Sequence, residues 1–412
     1  MIDLELLRQK PEETKKLIQK KDPAFNVDQL YTLDEQVRQL KLEVETLRHK
    51  KNELAKLGQQ SVTVELREQA RTIGQQLKEK EHDLERVQSE FKELYLYCPN
   101  ILLADIPQGN KEDNKVVKVW GKKPDFTFAP KNHVELGALN NWFDFEAAAR
   151  MTASNFALYK GDSVILAYSL MMLMLNNNMR HGYSPVLPPY LVNYKALEGS
   201  GNFPRFKDEA YAIPADSLYL TPTAEVNLTS MYRDHIFAAQ DLPVRMTAWT
   251  SCFRREAGGY GAHERGLIRI HQFEKAELYT ITQPEHAQAE QERMLACAES
   301  LLQSLGLHYQ VSLLAAQDCS FASAKTYDIE VWMPGQGVYK EVSSASNCTD
   351  FQARRSEIRY RSAPGAKTQL VYTLNASSLA LPRLMVALME TYQQEDGSIK
   401  LPDILKSVTV GI

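Results

Sequence analysis

The sequence predicts an α+β protein: an antiparallel sheet flanked by helices, with an N-terminal antiparallel coiled-coil arm. Three observations, two of pattern and one of chemistry, lead there. The first is a sustained heptad, Leu30, Leu33, Val37, Leu40, Val44 and Leu47, rejoined by Leu54 and Leu57. After a break at 58–63 it resumes as Leu66, Ala70, Ile73, Leu77, Leu84, Val87, Phe91 and Leu94. The second is a set of period-two runs with interspersed helices in the remaining chain, which favours hairpins over a doubly wound sheet. The third is the stretch from Thr250 to Glu277, TSCFRREAGGYGAHERGLIRIHQFEKAE. Two charged period-two runs joined by a glycine-rich loop read as a long-looped hairpin with Arg and Glu turned inward.

The bounds from composition agree. The chain has 412 residues, 44% hydrophobic and 24% charged, with a formal net charge of −4. That is enough for two or three domains, and any nucleic-acid contact must come from local basic patches. The boundaries expected are 1–105 for the helical domain and 106–412 for the globular one. The five cysteines are scattered without a C-x-x-C pair, which argues against a zinc ribbon and fits a reducing cytoplasm. The N-terminus, MIDLELLRQKPEE, shows no signal peptide. The most apolar window, Val164 to Leu175, is too short for a bilayer, so no membrane partner is expected.

In order along the chain, residues 3–20 read as one short amphipathic helix. Two heptad helices follow, joined by a short loop and so paired antiparallel, each on the order of 45 Å long at 1.5 Å per residue. By itself this pair is a dimerising or spacer coiled coil. Residues 107–125 are polar and read as a linker. An apolar helix spans Val164 to Met179, and GYSPVLPPYL (Gly182 to Leu191) is a strand stopped by prolines. Tyr219 to Leu228 is a strand leading to a turn and a helix. The hairpin comes next, its second strand including Leu267 to Phe273. A helix at Pro284 to Leu305 precedes strands at Tyr309 to Leu314, Thr326 to Trp332 and Val338 to Ser343. A strand Leu370 to Leu374, a Ser-rich turn and a helix Leu379 to Gln393 close the chain.

The candidate site residues each have a plain alternative. Thr223 and Glu225 read as a helix N-cap with a first-turn acid, worth about 1 kcal/mol. Arg254 and Glu256 read as a surface ion pair, worth about 0–1 kcal/mol. Phe273 reads as core, and Glu341 with Ser343 and Ser344 as a strand-end turn. Arg383 near the start of a helix is misplaced for the helix dipole, which favours a pocket. Arg on a strand suits two-pronged phosphate binding, and no G-x-x-x-x-G-K-[ST] loop is present.

Taken together these stretches resemble the seryl-tRNA synthetases of bacterial type, a family of class II aminoacyl-tRNA synthetases. GYSPVLPPYLVN is similar to the first class II motif, CFRREAGGYGAHERGLIRIHQFEKAE to the second, and LNASSLALPRLMVALME to the third. TPTAEV resembles the family's serine-binding T-x-E element, and EVSSASNCTDFQARR its E-[VI]-S-S stretch. The resemblance covers nearly the whole chain, and the class I signatures are absent.

The resemblance implies serine–tRNA ligation: serine and Mg-ATP give seryl-adenylate, and the 3′-terminal ribose hydroxyl of serine tRNA takes the seryl group. Selenocysteine tRNA is a possible second acceptor. It implies that Arg254 holds the α-phosphate, that Glu256 accepts from the adenine amino group, that Phe273 stacks on adenine, and that Arg383 covers the other face or meets the γ-phosphate. Arg255, Ile270, Val342 and Ser343 fall along the same ATP site, and Glu341 with Ser344 would bind Mg²⁺. Glu225 and Glu277 would receive the serine ammonium. Thr223, Ala224, Asn375, Ser377 and Arg254 would surround the rest of the substrate. The family is a homodimer, and its arm binds the long variable arm of serine tRNA, here through Arg48, Lys50, Lys51, Lys56, Arg67, Arg71 and Lys78. The loop Ala257 to Gly266 would close on ATP and then meet the tRNA acceptor end.

The chain departs from the family at three places. Ala376 stands where the third motif usually has Gly, so the backbone there is either conventional or strained. Ala345 replaces a common Cys. DSVILAYSL, after Gly161, replaces an Arg-Leu-Glu pattern.

Overall fold

The computed structural model describes residues 1–60, 63–257 and 266–405. The chain divides into two compact units, Met1–Pro99 and Asn100–Ile412.

The first unit is helical: α1 (Leu4–Gln9), α2 (Pro11–Lys21), α3 (Val27–Gln60) and α4 (Val64–Leu96). The one helix expected over residues 3–20 is two. Pro11 has no N–H to continue the ladder and pushes Lys10 out of the helical region, to φ −138° and ψ 62°. Pro11 then opens α2. Arg8 ties α1 to α3, donating from Nε and Nη2 to the two carboxylate oxygens of Asp34 at 2.7 Å each. Helix α3 runs through Gly58 and ends at Gln60, within the expected break at 58–63, and α4 opens on Thr63, whose hydroxyl accepts from Leu66 N–H at 3.1 Å. The pairing is antiparallel: Glu43 meets Lys80 and Arg48 meets Glu81, both at 2.7 Å. Leu33, Val37 and Leu40 pack with Leu84, Val87, Phe91 and Leu94. The seam thins at the distal end, where Leu57 and Val64 are exposed.

The second unit is built on an eight-stranded sheet: β1 (Lys115–Trp120), β2 (Ser184–Val186), β3 (Val244–Phe253), β4 (Gln272–Thr282), β5 (Tyr309–Leu313), β6 (Lys325–Met333), β7 (Val338–Asn347) and β8 (Tyr372–Ala380). The spatial order is β1-β5-β6-β7-β8-β4-β3-β2. Every neighbouring pair is antiparallel except β2 with β3. Four helices matter for the site: α5 (Asp162–Arg180), α6 (Ala224–Met231), α7 (Ala287–Ser304) and α8 (Leu381–Tyr392). Helices α5, α7 and α8 bury Leu170, Leu302 and Leu388 against Ala276, Val311, Ile329 and Val342 of the sheet. On β4 the alternate residues Lys275, Glu277 and Tyr279 turn the other way, and Tyr279 packs with Ala224 and Leu228 of α6. The sheet therefore has one face covered by three helices and one largely polar face.

Four expectations need correction. The polar stretch 107–125 contains β1, an edge strand paired with β5. Its Val116, Val117 and Val119 are exposed, so no buried face marks it in the sequence. GYSPVLPPYL is not one strand: β2 ends at Val186, and a separate short strand, Leu191–Asn193, begins after the prolines. The Ser-rich stretch 375–378 is not a turn, because β8 runs through it to Ala380. Leu267 to His271 is not strand. A single helical turn, Gly266–Ile268, occupies its start, and Leu267, Ile268 and Ile270 are 1%, 5% and 3% exposed, a burial no two-faced strand gives. None of the five cysteines forms a disulfide, and all are buried. Among the described residues no helix is long and apolar enough to cross a membrane.

Candidate active site

The polar face of the sheet gathers the site in two joined compartments. The deeper one centres on Thr223, the N-cap of α6. Its hydroxyl accepts from Glu225 N–H at 3.2 Å and from Lys275 Nζ at 2.8 Å, and lies 3.1 Å from Glu277 Oε2. The capping alternative and the site reading thus describe the same side chain. Lys275 also forms an ion pair with Glu277. Both are buried, at 6% and 1% exposure, and buried charges of this kind persist only when paired. Glu225 Oε1 accepts from Gln352 Nε2 at 2.7 Å and Asn375 Nδ2 at 3.0 Å. Burial, and then the negative charge of Glu277, push the Glu225 carboxyl up to about 7. Ser377 is the cross-strand partner of Glu277, and Asn375 that of Tyr279. Ala224 is fully buried in the core under α6, so its place in the serine set rests on position alone.

Above this lies a cleft lined by Arg254, Glu256, Arg269, Ile270, Phe273, Lys275, Glu341, Val342, Ser377 and Arg383, with Leu267, Ile268, Ala380 and Pro382. Arg254 follows the last residue of β3. Its N–H donates to His271 O at 2.9 Å, its Nε to Pro222 O at 3.3 Å, and its guanidinium sits 5.3 Å from the ring centre of Phe273. Glu256 is not on a strand face beside Arg254. It has φ +50° and pairs with Arg269 at 2.5 Å, so the ion pair expected between Arg254 and Glu256 is replaced by this one. A non-glycine residue held there costs about 1–2 kcal/mol. Arg383, in the first turn of α8, donates from Nη1 to Glu341 O at 2.8 Å, lies 3.5 Å from the Glu341 carboxylate, and reaches Ile268 O from Nε at 3.5 Å. Arg255 is exposed and its N–H donates to Glu209 O at 2.9 Å. Ser343 donates to Ser377 O at 2.5 Å and does not line the cleft. Glu341, Ser343 and Ser344 lie inside β7 rather than in a turn.

Sequence reasoning missed three residues here. Lys275 joins the two compartments, and Gln352 holds Glu225. Asp328 on β6 stands opposite Ser344 on β7. Burial, then the charge of Glu341, hold its carboxyl well above the usual range. Its Oδ1 is buried without a hydrogen-bond partner. Alternation in TYDIEVW was the available signal, because Ile329 and Val331 take the core face and leave Asp328 on the polar one. Among the described residues no three His, Cys, Asp or Glu side chains gather to hold a metal on their own. Glu341, Ser344 and Asp328 instead offer a partial set of hard oxygens, with one carboxylate oxygen unsatisfied. That suits a Mg²⁺ whose shell is completed by phosphates and water.

On the arm, Lys50, Lys51, Lys56, Arg67, Arg71 and Lys78 are exposed, and Arg48 is exposed but paired with Glu81. Of the expected mobile loop, Ala257 to Gly266, the stretch 258–265 lies outside the described residues.

Residues 206–392 match the model of the tRNA synthetase class II core domain (G, H, P, S and T), and residues 1–102 match the seryl-tRNA synthetase N-terminal domain. The chain is 43% identical to a serine–tRNA ligase of Chlamydia abortus over 414 residues, covering 98% of this chain and 97% of that one. It is 50% identical to a serine–tRNA ligase of Desulfotalea psychrophila over 325 residues, covering 78% and 76%. The crystal structure of seryl-tRNA synthetase from Pyrococcus horikoshii complexed with ATP superposes with a TM-score of 0.92 at 34% identity, covering 100% and 98%.

Proposed function

The chain belongs to the seryl-tRNA synthetase family and is a serine–tRNA ligase, and we propose that its two compartments hold ATP and serine in the following way. The observation that carries this reading is the junction between them: Lys275 and Ser377 line the upper cleft, while Lys275 Nζ reaches Thr223 and Glu277 below. A carboxylate bound below is thereby brought to a phosphate bound above.

ATP enters the cleft with its adenine on Phe273 and its amino group at Glu256. Arg383 covers the other face. The Arg254 guanidinium, now over Phe273, turns to the α-phosphate. The serine ammonium sits between Glu225 and Glu277. An oxygen of the serine carboxylate attacks the α-phosphorus, the bond to the β-phosphate oxygen breaks, and pyrophosphate leaves. The terminal ribose hydroxyl of tRNA then attacks the acyl carbon and gives up its proton to solvent, and AMP departs with the electron pair of the broken acyl–oxygen bond. Arg254 neutralises charge that builds on the α-phosphate, and positioning supplies much of the rest. Glu341, Ser344 and Asp328 would hold Mg²⁺, which supplies positive charge to the phosphates. The hydroxyl of serine finds polar partners in Thr223, Asn375 and Ser377. Such a site rejects alanine by roughly 10⁴–10⁵, since its buried polar groups would be left unpaired.

The arm takes the long variable arm of serine tRNA, the chain works as a homodimer, and its compartment is the cytoplasm. The domain division expected from the sequence, 1–105 and 106–412, lies a few residues past the Pro99/Asn100 boundary of the two compact units. The test is charging of purified serine tRNA, with selenocysteine tRNA alongside, by the full chain and by a chain lacking residues 30–94. The full chain attaches serine. The shortened chain forms adenylate but charges no tRNA. Unimpaired charging without the arm contradicts its assigned part.

A further inference from the structure

We propose that His133 is a positioning residue for ATP, acting through the backbone wall at Leu267–Ile268. The inference rests on the assignment of ATP to the upper cleft. His133 opens the short helix His133–Leu139 and is 3% exposed. Its Nε2 accepts from Leu267 N–H at 3.2 Å. An acceptor at Nε2 requires the ring proton on Nδ1, which points at Glu390 Oε1, 3.3 Å away. Glu390 is itself fully buried and held by three further donors: His133 N–H at 3.0 Å, Gly335 N–H at 2.9 Å and Gln336 Nε2 at 2.9 Å. A carboxylate so fixed leaves the imidazole one orientation and one tautomer.

The consequence reaches the cleft in two steps. Leu267 and Ile268 form the helical turn that precedes β4 and line the cleft. The Ile268 carbonyl meets Arg383 Nε at 3.5 Å, while Arg383 Nη1 is on Glu341 O. Arg383 lies on α8, two turns before Glu390 on the same helix. The brace thus closes a ring: α8 carries both the carboxylate that sets His133 and the arginine that the Leu267–Ile268 backbone helps aim. Gly266 shows how closely the ring approaches. It has φ +67°, and a Cβ there would lie 2.3 Å from His133 Nε2. Neither His133 nor Glu390 lines the cleft.

The two nitrogens separate by substitution. Asn places an amide near the position of Nδ1 and keeps the Glu390 contact. Gln places an oxygen near that of Nε2 and keeps the Leu267 contact. His133→Asn leaves a buried N–H without a partner, and its KM for ATP in serine-dependent ATP–pyrophosphate exchange rises roughly tenfold. In His133→Gln the KM for ATP stays within about twofold of the parent, and in both variants the KM for serine is unchanged. Equal KM values for ATP in the two variants overturn the proposal, as does a KM for serine that rises as much as that for ATP. Absence of exchange in the unsubstituted chain is a different result and contradicts the ATP assignment itself.

Discussion

Glu225 is where the proposed serine site would couple charge to its substrate. Its carboxyl, ordinarily near 4.5, is raised to about 7 by burial and by Glu277. Between those values the folded chain keeps a proton that the unfolded chain has lost. Stability from this group therefore falls as pH rises through the window and levels off above about 7. A substrate ammonium reverses the balance by favouring the charged form, so serine binding near pH 7 should release part of a proton. Calorimetric titration in two buffers of unlike protonation enthalpy reads this directly. The binding heat is expected to differ between buffers, and the difference to vanish in Glu225→Gln. A buffer-independent heat in the parent contradicts the electrostatic account. Roles at this scale were unevenly legible. Arg254, Glu277 and Arg383 stood out by residue type and motif. Lys275 did not, because a lysine in a strand pattern carries no sign that it will be buried against Glu277 and Thr223. Ala376 settles the other way: it lies inside β8, paired with Leu278 and Ala345, without a positive φ. The backbone there is conventional and needs no glycine.

Among the elements, α5 has a stripe that the other described residues leave largely exposed. Ile165, Tyr168, Met172 and Met179 are 45%, 53%, 44% and 50% exposed at helical spacing, and Leu187, just past β2, is 81% exposed. The homodimer proposed above offers a second copy of the chain as the occupant of this face. Replacing Tyr168 and Met172 by Glu should convert dimer to monomer in sedimentation while leaving the helical circular dichroism in place. A dimer that persists through both changes removes α5 from the interface. The legibility of elements followed burial. The heptads announced α3 and α4, whose apolar seam repeats without interruption through the proximal half. Strand β1 was lost among charges because an edge strand with an exposed outer face lacks the apolar alternation that marks a half-buried one. The turn at Leu267–Ile268 was taken for strand because its apolar residues alternate with Arg269 and His271, although all of them are fixed by tertiary packing.

At the scale of the whole molecule, the order of motifs conveyed the fold more surely than any local pattern. An antiparallel sheet with β2 added parallel at one end is not evident from periodicity, which sees strands but not their neighbours. What the sheet achieves is a polar face where residues distant in sequence share a row. Thr223, Glu277, Ser377, Ser344 and Asp328 come from α6's cap and four different strands. The central claim is that this face joins serine to ATP through Arg254. The most direct measurement is serine-dependent ATP–pyrophosphate exchange, run with serine, threonine and alanine, in the parent and in Arg254→Ala. Exchange is expected with serine and not with the other two, and it should fall by about 10²–10³ in a variant that keeps its fold. Exchange that ignores the amino acid supplied, or that survives the loss of Arg254, contradicts the account.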